Sequence, residues 1–258
     1  VITMQAAQVV RGFAAAKGPR GCRQAPVMFT TAPVRPRSRA RRLARSVVAG
    51  VTVAVVIAAV GFLVREQVDP LIRADDRAIR AATGVARSHD GLRSALVFWQ
   101  GLSRPVFVYI AVTAVCLVVW LRRGLVTRAW WAFVTMMVGW NLQMLVKLLV
   151  RRARPIVDNP IEHAAGYSFP SGHAANAACG ATALVLLVWP LVGRSGRALL
   201  IVGSSAFVVV TCLDRVFLGV HFPSDVIAGV LFGGGLVLAS YLGYLGWNPA
   251  TTKTKEAG

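Results

Sequence analysis

Six apolar stretches, at about 47–64, 105–121, 129–150, 174–192, 198–214 and 223–246, limit what this chain can become. Most approach the ~20 residues a helix needs to cross a ~30 Å hydrocarbon core. Within lipid each backbone polar group must find its partner inside the segment, so the stretches are expected to be helices. The fold class that follows is all-α: an integral membrane bundle of six transmembrane helices. The second stretch is short and could begin as early as Leu96. Gly229 and Gly233 in the last are spaced as a small-xxx-small face for close helix packing.

Composition agrees and removes one alternative. Of 258 residues 56% are hydrophobic and 15% charged, with a mean hydropathy of +0.61, too apolar for an ordinary soluble domain. The net charge of +19 therefore does not signal a nucleic-acid partner, which would need a basic face on a soluble scaffold. Ten of the 29 Lys and Arg fall in residues 1–46, which contain no Asp or Glu. That segment reads as a disordered basic tail, with an Arg-rich, acid-free character that also resembles an organelle transit peptide. It opens on Val, with Met4 and Met28 downstream, so its start is an uncertain guide to the natural one. Residues 47–247 form the expected membrane domain and 248–258 a short second tail. Cys22, Cys116, Cys179 and Cys212 are scattered, so neither a disulfide framework nor a zinc site is expected.

Basic residues in short loops set the expected orientation. The tail, the loop Arg122 to Arg128, the turn Arg194 to Arg197 and Lys253 and Lys255 all fall on one side, as do Trp120, Trp130, Trp131, Trp189 and Trp247. That side, with both termini, is expected to be cytoplasmic, and the membrane a bacterial plasma membrane. Between Arg65 and Arg104, Val68, Ile72, Ile79, Ala82 and Ala86 recur at helical spacing among seven basic and five acidic residues. An amphipathic helix lying on the outer surface is expected there.

Three polar clusters interrupt the apolar pattern, and ionisable groups beside membrane helices point to function. Lys147 to Pro155 ends the third span, Phe169 to His173 opens the fourth, Arg215 to His221 ends the fifth and Asp225 opens the sixth. All are expected on the extracytoplasmic face. Lys147, Arg151 and Arg154 share one face of a helix expected to run to Pro155. Taken alone the cluster could anchor a span, but cations on the outer side suit a phosphate better. Phe169-Pro-Ser-Gly-His173 could be a simple helix start, yet a helix N-terminus also offers free N–H groups to an anion. His221 and Asp225 are four apart, a spacing that lets a carboxylate orient an imidazole. A second His and an Arg complete the makings of a nucleophile, an orienter, a clamp and an acid. His89 and His163 lack such context and read as surface residues.

In order and spacing the clusters resemble the three-part signature of the type 2 phosphatidic acid phosphatase superfamily, K-x6-RP, PSGH and SR-x5-H-x3-D. Here they are Lys147-x6-Arg154-Pro155, Pro170-Ser171-Gly172-His173 and Arg215-x5-His221-x3-Asp225. One position departs: Asp214 stands where the signature has Ser, which puts a peripheral contact in doubt. The resemblance implies a metal-independent lipid phosphatase needing no cofactor. By that analogy His221 attacks phosphorus to form a phosphohistidine, Asp225 holds its imidazole, and His173 protonates the leaving oxygen and then activates water. Lys147, Arg154, Ser171, the Gly172 backbone and Arg215 bind the phosphoryl oxygens; Arg151 and Arg152 match no motif position and are left to headgroup or solvent. The implied partners are the bilayer and a lipid phosphate or diphosphate: phosphatidic acid, phosphatidylglycerophosphate or a polyprenyl diphosphate. A transporter of an anionic solute could use the same cations, although its site belongs near the midplane and needs no His and Asp four apart. A membrane-anchored binder of anionic lipid or nucleic acid could use the basic tail as an accessory.

Overall fold

The computed structural model describes residues 39–156, 161–162 and 164–244. Among them eight α-helices form and no strand: α1 (Arg39–Arg65), α2 (Asp69–Ser88), α3 (Asp90–Leu102), α4 (Pro105–Arg123), α5 (Val126–Val150), α6 (Gly172–Val188), α7 (Arg194–Phe217) and α8 (Pro223–Tyr244). A 3₁₀ turn, Trp189–Leu191, extends α6. The six long apolar helices are α1, α4, α5, α6 with its turn, α7 and α8, each of 19 to 27 residues. Of the tail expected over 1–46, residues 1–38 lie outside the described residues, and from Arg39 the chain is already helical. The tail expected over 248–258 also lies outside them.

Helix α6 owes its central place to size rather than hydrophobicity. Ala174, Ala175, Ala177, Ala178, Ala181 and Ala183 are buried on it, while Leu199 and Val202 of α7 and Leu121 of α4 are exposed. Small residues inside and large ones outside is the pattern of a bundle in lipid, where close backbone approach and van der Waals contact drive association. The α6–α8 seam shows this most sharply. A Cβ on Gly229 would come 2.8 Å from the Ser171 carbonyl oxygen, and one on Gly233 only 2.1 Å from that of Ala175. The expected Gly229–Gly233 packing face is therefore present, and it sets the N-terminus of α6 beside that of α8. The Ser171 N–H donates to the Asp225 carbonyl at 2.9 Å. Tyr109 reaches across the core from α4 to donate to the Met136 carbonyl of α5 at 2.8 Å.

The two ends of the bundle differ in chemistry. At one, Trp131 lies against Tyr241 and Tyr244, Arg128 donates to the Leu186 carbonyl and the Tyr241 hydroxyl, and Arg197 donates to the Trp189 carbonyl. These cations satisfy carbonyls that the C-terminal end of α6 leaves open. At the other end the last turns of α5 and α7 meet the first turns of α6 and α8.

Two expectations change at that end. The stretch 65–104 is not one helix but two, broken at His89 (φ −134°, ψ 95°), with a second break where Pro105 starts α4 after Ser103 and Arg104. The helical spacing is real, since Ile79, Ala82 and Ala86 are buried, but the same face also buries Asp75. Helix α5 stops at Val150, not at Pro155, because Arg151 takes a left-handed conformation (φ 54°) and its N–H closes on the Lys147 carbonyl. Beyond it the chain leaves the helix, and Arg154 turns back to the bundle, where it donates to the Val220 carbonyl.

Candidate active site

Pro223 opens α8, and its first turn carries the centre of the site. Ser224 and Asp225 follow it, and Asp225 reaches back to accept from the Phe222 N–H at 3.0 Å, the acid half of a capping box. Its Oδ2 also accepts from the Ser168 hydroxyl at 2.5 Å, and its Oδ1 from Arg152 Nη1 at 2.7 Å. A fully buried carboxylate with this many donors meets the demand that a buried charge be paired and bonded. His221 Nδ1 lies 3.7 Å from Asp225 Oδ2, beyond hydrogen-bond reach. The direct Asp225–His221 bond expected from their spacing is therefore replaced: Ser168 Oγ sits between them, 3.3 Å from Nδ1.

Donor and acceptor chemistry fixes the tautomer of His221. The Ser168 proton is committed to Asp225, so its oxygen is left to accept from Nδ1–H. On the other side of the ring Arg154 Nη1 lies 3.2 Å from Nε2, and a guanidinium can only donate. Both contacts demand a ring protonated at Nδ1 with a lone pair on Nε2. Burial pulls His221 down to about 4 against the pull of Asp225, and Arg154 and Lys147 push the same way as burial. The ring is therefore neutral at physiological pH.

The other cations of the clusters lie at the same end of the bundle. Arg154 is held by the carbonyls of Gly166, Ala165 and Val220. Burial and Arg215 lower its affinity for a proton and Asp225 raises it, yet a guanidinium starts high enough to stay charged. Lys147 donates to the Tyr167 carbonyl at 2.7 Å. Arg215 is buried and bonded through Nε to Asp214 Oδ2 at 2.8 Å. His173, one residue into α6, has the charged Arg215, Arg104 and Arg154 and the neutral ring of His221 in its electrostatic surroundings. The buried atoms Ser171 Oγ and His173 Nε2 have no protein partner.

Residues 128–248 match the family model of the PAP2 superfamily. An undecaprenyl-diphosphatase of Sulfolobus acidocaldarius is 32% identical over 154 residues, 58% of this chain and 69% of that protein. The chain belongs to the PAP2 superfamily. Phosphatidylglycerophosphatase B of Bacillus subtilis is 34% identical over 100 residues, 38% of this chain and 47% of that protein, so the chain spans about half the length of that relative. Both names are those of hydrolases of phosphate esters. The crystal structure of a transmembrane PAP2 type phosphatidylglycerolphosphate phosphatase from Bacillus subtilis shares the fold, with a TM-score of 0.65 at 21% identity over 76% of this chain and 94% of that one. This PAP2 protein is accordingly an integral membrane protein.

Within this PAP2 fold the polar residues singled out in the sequence converge at one end of the bundle. Lys147, Arg154, Ser171, Gly172, His173, Arg215, His221 and Asp225 all lie there, at helix termini or on the loops beside them. Three residues sequence reasoning left aside belong with them. Arg152, left to headgroup or solvent, is buried and bridges Asp225 and Asp75. Asp75 had a legible signal, a carboxylate on the otherwise apolar stripe of α2, where an unpaired charge would be costly. Ser168 had none beyond its place next to the second cluster. Asp214 is also more than peripheral, because its carboxylate grips Arg215. Arg151 is exposed and caps α5, its Nε donating to the Leu148 carbonyl. His89 is exposed as expected, and His163 lies outside the described residues.

Proposed function

We propose that this protein hydrolyses a lipid phosphate or diphosphate without a metal, through a phosphohistidine, at the extracytoplasmic face of a bacterial plasma membrane. One observation carries the reading: a buried, neutral His221 whose Nε2 lone pair meets Arg154 at 3.2 Å, with Lys147 and Arg215 at the same end of the bundle. Attack by Nε2 forms the N–P bond as the bond from phosphorus to the leaving oxygen breaks. That oxygen is the lipid's own in a monophosphate and the bridging oxygen of the departing lipid monophosphate in a diphosphate, and His173 supplies the proton it takes up. His173 then takes a proton from water as its oxygen attacks phosphorus and the N–P bond breaks. During attack Arg154 exchanges its contact with Nε2 for a phosphoryl oxygen. Ser171 Oγ, the Gly172 N–H at the start of α6, Lys147 and Arg215 take the others, stabilising charge where it builds up.

The reaction proposed here uses no Mg²⁺. Among the described residues no three His, Cys, Asp or Glu side chains come together, and both Asp225 and Asp75 are committed to Arg152. The names of the relatives support lipid phosphates as the class, phosphatidylglycerophosphate and polyprenyl diphosphate among them, and the exposed apolar flanks suit a substrate whose chains stay in the bilayer. The test is a phosphate-release screen of the purified protein across a panel of lipid phosphates, with EDTA and with vanadate. Turnover that survives EDTA and falls with vanadate is expected; turnover abolished by EDTA and restored by Mg²⁺ contradicts the mechanism. Orientation has its own test: a Cys at Asn159, in a protein otherwise free of cysteine, should be labelled from outside intact cells, and protection there contradicts the proposed face.

A further inference from the structure

Helix α2 lies outside all three motif clusters, yet it supplies the most deeply bonded carboxylate after Asp225. Asp75 Oδ1 accepts from the Ser224 N–H at 3.0 Å, and Oδ2 from the Ser224 hydroxyl at 2.5 Å and Arg152 Nη2 at 2.7 Å. Asp75 thus caps α8 from another helix, at the turn that carries Asp225. Arg152 Nη1 meets both Ser224 Oγ and Asp225 Oδ1 at 2.7 Å, and its guanidinium lies over the Phe222 ring, 4.0 Å from the centroid. Asp75, Arg152, Ser224 and Asp225 are all buried.

We propose that Asp75 and Arg152 are positioning residues that fix the ring of His221 through Asp225 and Ser168. A carboxylate can rotate about its own bond, and Ser168 needs Oδ2 in one place to hold Nδ1–H. Arg152 fixes Oδ1, and so fixes Oδ2. Arg152 itself is a long side chain held to one rotamer by Asp75 on one nitrogen, by Ser224 and Asp225 on the other, and by the ring of Phe222 beneath. The chain of contacts runs Asp75, Arg152, Asp225, Ser168, His221, and the surface helix is thereby part of what aims the nucleophile. Lysine in place of Arg152 keeps a charge but loses the fork that spans two carboxylates.

The inference rests on His221 as nucleophile, so its test carries a readout independent of turnover. Rapid-quench phosphoenzyme formation is measured per competent site, the burst amplitude counting folded sites and the rate constant reading alignment. Asp75→Asn and Arg152→Lys are expected to lower the rate constant about 10- to 100-fold, as loss of a group that orients a reacting ligand does, with KM little changed. Asp69→Asn, exposed on the same helix, should leave the rate as it is. Adding Asp75→Asn to Asp225→Asn should cost nothing further, since the path through Asp225 is already broken. In parallel, ¹⁵N spectra of labelled histidine report the Nδ1–H tautomer of His221, and Asp75→Asn should make it a mixture. A wild-type rate constant and an unchanged tautomer in Asp75→Asn would overturn the positioning, as would effects that multiply in the double variant. A wild-type protein that forms no phosphoenzyme, with a tautomer that still responds to Asp75→Asn, would sink the proposed reaction and leave the positioning standing.

Discussion

The first turns of α6 and α8 lie side by side at the Gly229–Gly233 seam, carry one histidine cluster each, and are built in opposite ways. On the α8 side every carboxylate is saturated: Asp225 by Ser168, Arg152 and the Phe222 N–H, Asp75 by Ser224 and Arg152. On the α6 side Ser171 Oγ and His173 Nε2 are buried with no protein partner. The network around His221 freezes a ring so that its lone pair points one way. The pair on α6 is left uncommitted, which suits the proposed roles of bonding to a substrate oxygen and exchanging a proton. Preorganisation on one side and open valence on the other is the division expected when orientation and proton transfer fall to different residues.

Removing the proposed nucleophile should show the largest effect. His221→Ala is expected to lose turnover by ~10⁴-fold or more, with every leaving group, in a steady-state phosphate-release assay. Asp225→Asn comes next, short of that, because the imidazole remains while its tautomer is no longer enforced. His173→Ala should cost ~10²- to 10⁴-fold with a lipid substrate. That deficit should shrink with p-nitrophenyl phosphate, whose leaving group needs no proton. Equal deficits for both substrates would erase the contrast between the two helices. Gly233→Ala attacks the seam instead: its Cβ would press on the Ala175 carbonyl, and an overpacked contact of this kind costs about 1–3 kcal/mol. A thermal midpoint equal to wild type in detergent would show that the seam is looser than described.

The smallest effect is one of pH. An ordinary imidazole titrates near 6.5, and burial brings His221 to about 4. Between those values the unfolded chain binds a proton that the folded chain does not. The stability His221 contributes is therefore complete above about 6.5 and is lost as pH falls through about 4. A ¹⁵N titration should find the ring neutral at pH 5, and a midpoint near 6.5 would mean that the ring is wetter than its burial implies.

How far the sequence reaches differs between the same two helices. The α6 cluster was readable in full, because Pro170, Ser171, Gly172 and His173 are contiguous and a helix N-terminus needs only local rules. The six spans were readable too, since apolar runs of membrane length leave few choices, and so was the Gly229–Gly233 face. The α8 network was half readable. His221 and Asp225 are four apart, but the hydroxyl between them comes from Ser168, and the clamp on Asp225 comes from Arg152 and Asp75, which lie 73 and 150 positions away. Contacts of that range have no period to betray them. Asp75 alone left a trace, as a charge on an apolar stripe, and Arg151 misled, because its left-handed turn ends α5 before Arg154 can continue the helical face.

The measurement that reaches the centre of the account is a rapid-quench experiment with ³²P-labelled lipid phosphate on the wild-type protein and His221→Ala. Acid-labile, base-stable label should appear on the wild-type chain within one turnover, map to His221, and be absent from His221→Ala. Label that persists in His221→Ala, or wild-type turnover with no label trapped at any time, would contradict it.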